Sequence, residues 1–188
     1  MKAETPRVQP LTLEEFRSLS WTQFGENVPE SQEIKNVTLT WARHPALMES
    51  QKSYQRYLHA GSLLPRKDQE IVILRIAWLC RSEYAFGQHT LYGMKAGLTD
   101  SDISRVVEGS AAEGWTEFES ALLRAVDELH EEHIISEATW CALSDRYDIR
   151  QLMDLLVIVG RYWTMSVMLN TLGVQREEGT PAFPYRGQ

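Results

Sequence analysis

Signals that start and stop α-helices recur along this sequence, and they narrow the possible folds more than any other feature. Gly97 followed by Leu98 is typical of a helix end, because glycine readily takes the left-handed conformation required there. Thr99 and Asp102 have the spacing of a capping box, which begins a helix, and Thr116–Glu119 repeats that pattern. No convincing β-hairpin signal is present. The sequence therefore predicts an all-α fold.

Apolar periodicity then predicts seven or eight helices. Pro6, Pro10 and Pro29 divide the first thirty residues into an extended arm with one short helix near Leu13–Leu19, and Asn36 can begin another. Pro65 fits the first position of a helix, where its missing N–H costs nothing, and Ser82 fits the N-cap of the next. The longer helices are predicted over Ala46–Leu58, Pro65–Leu79, Ser82–Ala96, Thr99–Glu108, Thr116–Glu132, Ser136–Tyr147 and Ile149–Leu172. An extended tail is predicted beyond them, over residues 180–185.

Length, charge and cysteine content limit the class of protein. A chain of 188 residues is of single-domain size, and a net charge of −7 without a basic cluster excludes nucleic acid as the main partner. The start of the chain lacks the apolar core of a secretory signal, and the longest apolar run, Ile71–Cys80, is too short to span a bilayer. A cytoplasmic protein without membrane contact is expected. Cys80 and Cys141 fit neither a disulfide framework nor a zinc site and are expected to be reduced.

Glu70 is the first residue with potential chemistry. It lies inside a predicted helix whose following residues are almost all apolar, so its carboxylate is expected to lose hydration. The alternative is a surface glutamate paired with Lys67 or Arg66, about one turn earlier.

His89 is the second candidate, on the next predicted helix. Small residues on the same face, including Ala85, Gly93 and Ala96, would let another helix approach closely or leave space beside the imidazole. A histidine can exchange a proton near neutral pH, but a hydrogen-bonded core histidine is the alternative.

Weaker candidates flank this pair. Tyr84 could donate a hydrogen bond to an oxyanion, and Glu83 could act as an acid, although a glutamate in the first turn also stabilises the helix dipole. His130 and His133 have a spacing that could hold a metal, but no third ligand is evident, so no metal site is predicted.

Together these residues resemble the carboxymuconolactone decarboxylase family and its alkylhydroperoxidase D-like (AhpD-like) relatives. The resemblance rests on Glu70, on the string from Tyr84 to His89, and on Ala96 to Thr99; Phe86 stands where tryptophan is usual and Ala85 where a second acid is usual. It implies an AhpD-like helical bundle with a family core over residues 45–125, an arm over residues 1–35 and a helical half with a tail over residues 126–188. It further implies a homo-oligomer, expected to be a trimer or hexamer, with a dimer as an alternative.

The same resemblance separates two chemistries. In AhpD-like proteins a glutamate and a histidine, nineteen positions apart like Glu70 and His89, flank a Cys-x-x-Cys pair, and those cysteine positions fall here on Ser82 and Ala85. Dithiol peroxidase activity is therefore not expected, because it needs an attacking and a resolving thiol.

The resemblance to the decarboxylase branch implies a lyase or isomerase that acts on a small carbonyl or carboxylate compound, such as a lactone, without a cofactor. Glu70 and His89 would transfer protons and Tyr84 would donate a hydrogen bond. Arg75 or Arg81 could bind a substrate carboxylate through its guanidinium, with Glu83 and Phe86 nearby. Two alternatives stay open: a thiol peroxidase or antioxidant that uses Cys80 beside Arg81, and a non-catalytic oligomeric binding protein.

Overall fold

A computed structural model describes residues 5–23 and 31–184 of the chain, without the side chains of residues 20–23. All regular secondary structure in the described part is helical and no strand is present there, which confirms the all-α prediction. It holds nine α-helices and one π-helical turn, more than the seven or eight helices expected, because both short segments before Pro45 form helices. The helices are α1 (Leu13–Gln23), α2 (Asn36–Trp41), α3 (Pro45–Arg56), α4 (Arg66–Leu79), α5 (Glu83–Lys95), α6 (Asp100–Glu108), α7 (Glu117–Glu131), α8 (Glu137–Ser144) and α9 (Ile149–Leu172), with the π-helical turn at Tyr57–Gly61.

The chain divides into two compact units. The first contains the residues up to Gly61 together with Leu169–Glu178, and the second contains Ser62–Met168 with the residues from Gly179 onward. These limits differ from the predicted arm, core and C-terminal half, and a single domain over residues 1–188 stays a prediction.

The first unit has a small apolar core of its own. Leu11, Phe16, Leu39 and Ala42 are buried there, and Met48 packs against them. The backbone N–H groups of Arg7 and Val8 both donate to the carbonyl oxygen of Leu172, which fixes residues of the extended arm against the chain's C-terminal part. Most of the arm and α1–α3 thus form one packed body with residues 169–178.

The second unit is built around α4. Ten consecutive residues of this helix, 68–77, are buried, so neighbouring elements cover it on all sides. A helix that is apolar all round belongs in a core rather than on a surface, and α5, α6 and α7 pack against it. Because α4 is central, a polar side chain on it has to find its partners inside the protein.

The predicted C-terminal end of α5 and the two predicted capping boxes are confirmed. Gly97 has a φ of +99°, and the N–H of Leu98 donates to the carbonyl oxygen of Gly93 at 2.9 Å, as in a Schellman motif. Both capping boxes form, at the start of α6 and of α7. Two details differ. Pro65 is the N-cap of α4 rather than its first residue, and the hydroxyl of Ser82, although Ser82 is the N-cap of α5, does not cap the helix.

The last helix, α9, has 24 residues, and among the described residues it is the one helix long and apolar enough to cross a membrane. The core helix of a soluble protein passes the same test, so this is weak evidence for a membrane span. The sequence did not single out this helix, because Asp154 and Arg161 divide its apolar residues into shorter stretches.

Residues 180–184, the described part of the tail, have no regular secondary structure and belong to the second unit. Phe183 packs edge-on against Trp78 and Phe86, with ring centroids 4.8 and 5.1 Å apart. A side chain at Gly87 would collide with the carbonyl oxygen of Pro181, so glycine is needed where the tail crosses α5. Residue 185 of the predicted tail lies outside the described residues.

Candidate active site

Glu70 and His89 meet directly in the second unit. The Oε2 atom of Glu70 on α4 lies 2.7 Å from the Nδ1 atom of His89 on α5. Glu70 is 1% exposed and His89 8% exposed, so the contact is shielded from bulk water. The sequence analysis left open whether Glu70 is buried or lies on the surface, and the structure buries it and brings the two side chains together.

A glycine lets the two helices approach at this point. A Cβ atom at Gly93 would lie 2.8 Å from a methyl carbon of Leu98 and 3.7 Å from the Cβ atom of Glu70. An alanine at this position would require the Leu98 side chain to shift, and a larger side chain would also collide with Glu70 and Leu74 on α4. The close packing expected from the small residues of α5 is present at this position.

Arg66 holds the second oxygen of Glu70. Its Nη2 atom lies 3.3 Å from Oε1 of Glu70, while its Nη1 atom donates to the side-chain oxygen of Gln69 at 2.8 Å. The arginine side chain is 51% exposed, in contrast to the buried carboxylate. Both alternatives for Glu70 thus hold in part, because the carboxylate is buried and Arg66 still pairs with it. Arg66 also offers a cation between the buried pair and solvent.

Two tyrosines surround the imidazole, and neither was among the predicted site residues. Tyr92 and Tyr162 meet the His89 ring edge-on, with ring centroids 5.3 and 4.8 Å apart. Burial, and then the negative charge of Glu70, raise the pKa of the Tyr162 hydroxyl, which therefore stays protonated and available as a donor. Tyr92 follows His89 by three residues, and helical periodicity places it on the same face of α5 as the histidine. Tyr162 comes from α9, and no local pattern indicates it.

The predicted donor Tyr84 lies elsewhere on α5. It is buried in the first turn of the helix, five residues before His89. Five residues correspond to a rotation of about 140° around the helix axis, so Tyr84 and His89 belong to different faces. Glu83 is the first residue of α5 and is half-buried, in the position that favours the helix dipole.

The two arginines predicted to bind substrate lie in different environments. Arg75 donates from Nε to Asp127 at 2.6 Å and from Nη1 to the carbonyl oxygens of Val106 and Val107, so its guanidinium holds α4, α6 and α7 together. It does not pair with Glu70 in this arrangement. Arg81 is exposed in the reversal between α4 and α5 and has a positive φ of 54°.

Phe86, the remaining predicted substrate contact, lies in an aromatic cluster. It is 1% exposed and packs against Trp78 and Phe183, with ring centroids 6.0 and 5.1 Å apart. This cluster packs the beginning of α5 against the end of α4 and the tail. Phe86 therefore has a clear packing role on the helix that carries His89.

Neither the family's cysteine positions nor the two cysteines of this chain provide a reactive thiol. Ser82, at the first cysteine position of the family pattern, is fully buried, and its hydroxyl has no hydrogen-bond partner. Burial raises the pKa of the Cys80 thiol to about 11, and the nearby Ser166 hydroxyl offsets this only in part. Cys141 is exposed at the surface, and both cysteines are free thiols. Because the thiolate is the reactive form, Cys80 is a poor nucleophile at neutral pH.

Comparison with known proteins agrees with this architecture. The sequence model of the carboxymuconolactone decarboxylase family matches residues 45–128, a segment that contains Glu70 and His89. No curated protein matches the chain.

Several solved structures have the same fold. A peroxidase-related protein with an AhpD core from Ralstonia eutropha JMP134 is 17% identical, with a TM-score of 0.71 over 89% of this chain and 87% of the other. A peroxidase-related protein from Silicibacter sp. TM1040 is 13% identical, with a TM-score of 0.72 over 95% and 96% of the two chains. The debrominase Bmp8, as a cysteine-to-alanine variant in complex with 2,3,4-tribromopyrrole, is 13% identical, with a TM-score of 0.73 over 95% of each chain. Residues 45–128 of the chain therefore resemble the carboxymuconolactone decarboxylase family, and the chain has the fold of AhpD-like proteins.

Proposed function

We propose that this protein is an enzyme whose Glu70 and His89 transfer protons on a small carbonyl or carboxylate substrate, as a lyase or isomerase that needs no cofactor. The buried contact of 2.7 Å between Glu70 Oε2 and His89 Nδ1 carries the proposal. It joins a carboxylate and an imidazole as in the orienting half of a catalytic triad, where the acid fixes the histidine that moves the proton.

The contact determines which nitrogen of His89 is available. A carboxylate can only accept a hydrogen bond, so Nδ1 of His89 donates to Glu70 and the ring's other nitrogen, Nε2, is left to accept a proton. When Nε2 takes that proton, the charge of Glu70 stabilises the imidazolium. Arg66 holds the other oxygen of Glu70 and so limits rotation of the carboxylate.

Such a pair suits reactions that pass through an enolate. In an isomerisation, His89 removes a proton beside a carbonyl, the electron pair moves into the carbonyl group, and the proton returns to another carbon. In a decarboxylation, the bond to the carboxylate carbon breaks and its electron pair forms the enolate as CO₂ leaves. In this reaction the new carbanionic carbon takes a proton from Nε2 of the His89 imidazolium, and the neutral imidazole that remains takes up a proton from solvent.

Arg66 and Tyr162 are the best-placed groups to hold the substrate. The half-exposed guanidinium of Arg66 can bind a carboxylate while it also contacts Glu70, so we assign to it the role predicted for Arg75 or Arg81. The Tyr162 hydroxyl, which stays protonated, is the proposed donor to the enolate oxygen, a role that the sequence suggested for Tyr84.

The two alternatives have less support. A peroxidase that depends on the Cys80 thiolate conflicts with the raised pKa of that thiol. The near-complete burial of Glu70 also suits a structural ion pair in a non-catalytic binding protein, and activity measurements separate this possibility from an enzyme.

The test uses γ-lactone carboxylates and 3-oxo acids in D₂O, with deuterium uptake at carbon and loss of CO₂ followed by NMR. General acid–base catalysis contributes roughly 10²–10⁴-fold, so Glu70→Gln and His89→Gln should each slow turnover by at least about 100-fold. Glu108→Gln, on an exposed residue at the end of α6, is the matched control and should leave turnover unchanged. Equal turnover in wild type and both site variants contradicts the proposal. No turnover of any compound, with a lower melting temperature for Glu70→Gln, favours the binding protein.

A further inference from the structure

The helix α9 carries an exposed apolar seam along one side. The intervals between the seam residues are four, three, four, three and four positions, which keeps all of them on one face of the helix. Its apolar side chains are between 39% and 61% exposed, and its glycine is also exposed. The seam consists of Ile149, Met153, Leu156, Gly160, Trp163 and Val167.

This spacing is typical of a helix that packs lengthwise against another helix. Alternating intervals of four and three residues are those of a heptad repeat, which keeps the side chains aligned with a partner over several turns, as in coiled coils. The seam is about 27 Å long at 1.5 Å per residue. The opposite side of α9 is already used, because Leu152, Leu155 and Ile158 are buried in the protein.

We infer that the seam packs antiparallel against the same seam of a second copy of this chain. The intervals read the same in both directions, so a two-fold axis through the middle of the seam places every seam residue opposite another. Ile149 then faces position 167 of the second copy, Met153 faces position 163, and Leu156 faces position 160. Such a contact is isologous, meaning that one patch serves both partners.

The paired positions are complementary in size and chemistry. Leu156 would enter the space left by the missing side chain at Gly160, where an added Cβ atom has no neighbour within 4 Å. A groove of about 360 Å³ lies beside that glycine, lined in part by Leu156, Val159 and Trp163. Met153 would meet the Trp163 indole, a favourable contact between a thioether and an aromatic ring.

The charge pattern also favours a second copy. Each chain has a net charge of −7, so two copies repel one another unless the contact avoids the charged surface. The exposed positions of α9 from Met153 to Val167 carry no charged side chain. This stretch offers an uncharged strip about 20 Å long on which two copies can meet.

A bilayer is a poorer occupant of this surface. Asp154, within α9, is 4% exposed and accepts hydrogen bonds from the backbone N–H of Leu63 at 2.6 Å and from the hydroxyl of Ser62 at 3.0 Å. These bonds hold α9 to the rest of its unit, so lipid could cover only one side of the helix. A contact of two surfaces, each apolar along a single strip, matches the seam better.

The test measures the mass of the full-length protein by sedimentation over a range of concentrations. The wild type should form an assembly with an even number of chains. Met153→Glu and Trp163→Lys should each halve that mass at the same concentration, because each places a charge in the apolar seam. Met94→Glu, on a similarly exposed methionine of α5, is the control and should keep the wild-type mass. Helical circular dichroism confirms that each variant is folded.

The double variant tests the antiparallel orientation. Because positions 153 and 163 face one another across the axis, Met153→Glu combined with Trp163→Lys pairs the new charges and should restore the wild-type mass. The inference is overturned by a wild type that sediments as a monomer at every concentration, whether or not it binds phosphatidylglycerol vesicles, or by single variants that keep the wild-type mass. A double variant that stays at half the mass overturns the antiparallel pairing.

Discussion

The ring of Tyr162 stands at 86° to the imidazole of His89, with the two ring centroids 4.8 Å apart. The tyrosine belongs to α9 and the histidine to α5, so the candidate site combines residues that are 73 positions apart in sequence. This perpendicular contact restricts the orientation of the imidazole ring. Tyr162 thus combines a packing role with a hydroxyl that the charge of Glu70 helps to keep protonated.

Two substitutions at Tyr162 separate these roles. Tyr162→Phe keeps the ring and should change the free energy of unfolding by less than about 1 kcal/mol, because the edge-on contact remains. Loss of the hydroxyl should still slow turnover by about 10-fold or more, if it donates to the enolate oxygen as proposed. Tyr162→Leu should also destabilise the protein by about 1–3 kcal/mol.

Thermal unfolding and the deuterium-uptake assay provide both measurements. Tyr57→Phe, which removes the hydroxyl of an exposed tyrosine, is the control and should change neither quantity. Full turnover in Tyr162→Phe would show that the hydroxyl takes no part in the reaction.

The arrangement of α4 and α5 was predictable because its signals are local. Glu70 and His89 lie on two consecutive helices joined by a short reversal, so helical periodicity and end signals suffice to place both on inward positions. The family resemblance added the spacing of nineteen residues that links them. These are the parts of the site for which nearby residues determine the geometry.

The partners of Arg75 show why the rest could not be predicted. Its guanidinium meets Asp127, which is 52 positions away, and the carbonyl oxygens of Val106 and Val107. Nothing in the residues around position 75 distinguishes an arginine that binds a substrate from one that joins three helices. The same holds for Tyr162, because its position depends on how α9 packs and not on its own neighbours in sequence.

A pH titration of Cys80 tests whether its thiol is inert. Burial, offset only in part by the Ser166 hydroxyl, raises its pKa to about 11 from the usual 9.0, so at any pH below 9 less than a few per cent is thiolate. Alkylation by iodoacetamide, followed by mass spectrometry of the peptide, should therefore rise toward pH 11. Alkylation with a midpoint below pH 8.5 would revive the thiol peroxidase alternative.

The capping box of α7 predicts a pH-dependent stability. Burial raises the pKa of the Glu119 carboxyl, but hydrogen bonds from Lys67 and from the N–H and hydroxyl of Thr116 outweigh it, so the pKa lies below its usual 4.5. A lowered folded-state pKa stabilises the protein above the unfolded-state pKa, and this contribution is lost as the pH falls through the folded-state value.

Glu119→Gln should therefore cost about 1 kcal/mol at pH 7, the usual effect of a helix cap, and progressively less below pH 4.5. Urea unfolding at pH 7 and at pH 3 measures the difference. Glu117→Gln is the control, because Glu117 lies two residues earlier in the same first turn and is not part of the capping box. An equal cost for Glu119→Gln at both pH values would contradict a contribution of the ionised Glu119 carboxylate to stability.

The reversal between α4 and α5 gives the last prediction, because it is a Schellman motif without glycine. The N–H of Ser82 donates to the carbonyl oxygen of Ala77 and the N–H of Arg81 to that of Trp78, with Arg81 at a φ of 54°. An L-residue pays roughly 1–2 kcal/mol for this conformation, whereas glycine adopts it freely at a smaller entropic cost.

Arg81→Gly should therefore stabilise the protein by about 0.5–1 kcal/mol, or roughly 1–4 °C in melting temperature. Gly97→Ala, at the equivalent position of α5, should have the opposite effect for the same reason, since its φ is +99° and an added Cβ atom meets no neighbour. Arg81→Ala keeps the strained φ and removes only the guanidinium. Unchanged turnover in both Arg81 variants is expected if Arg66 binds the substrate, whereas a loss in both would return that role to Arg81. A melting temperature that falls in Arg81→Gly would mean that contacts of the guanidinium outweigh the backbone strain.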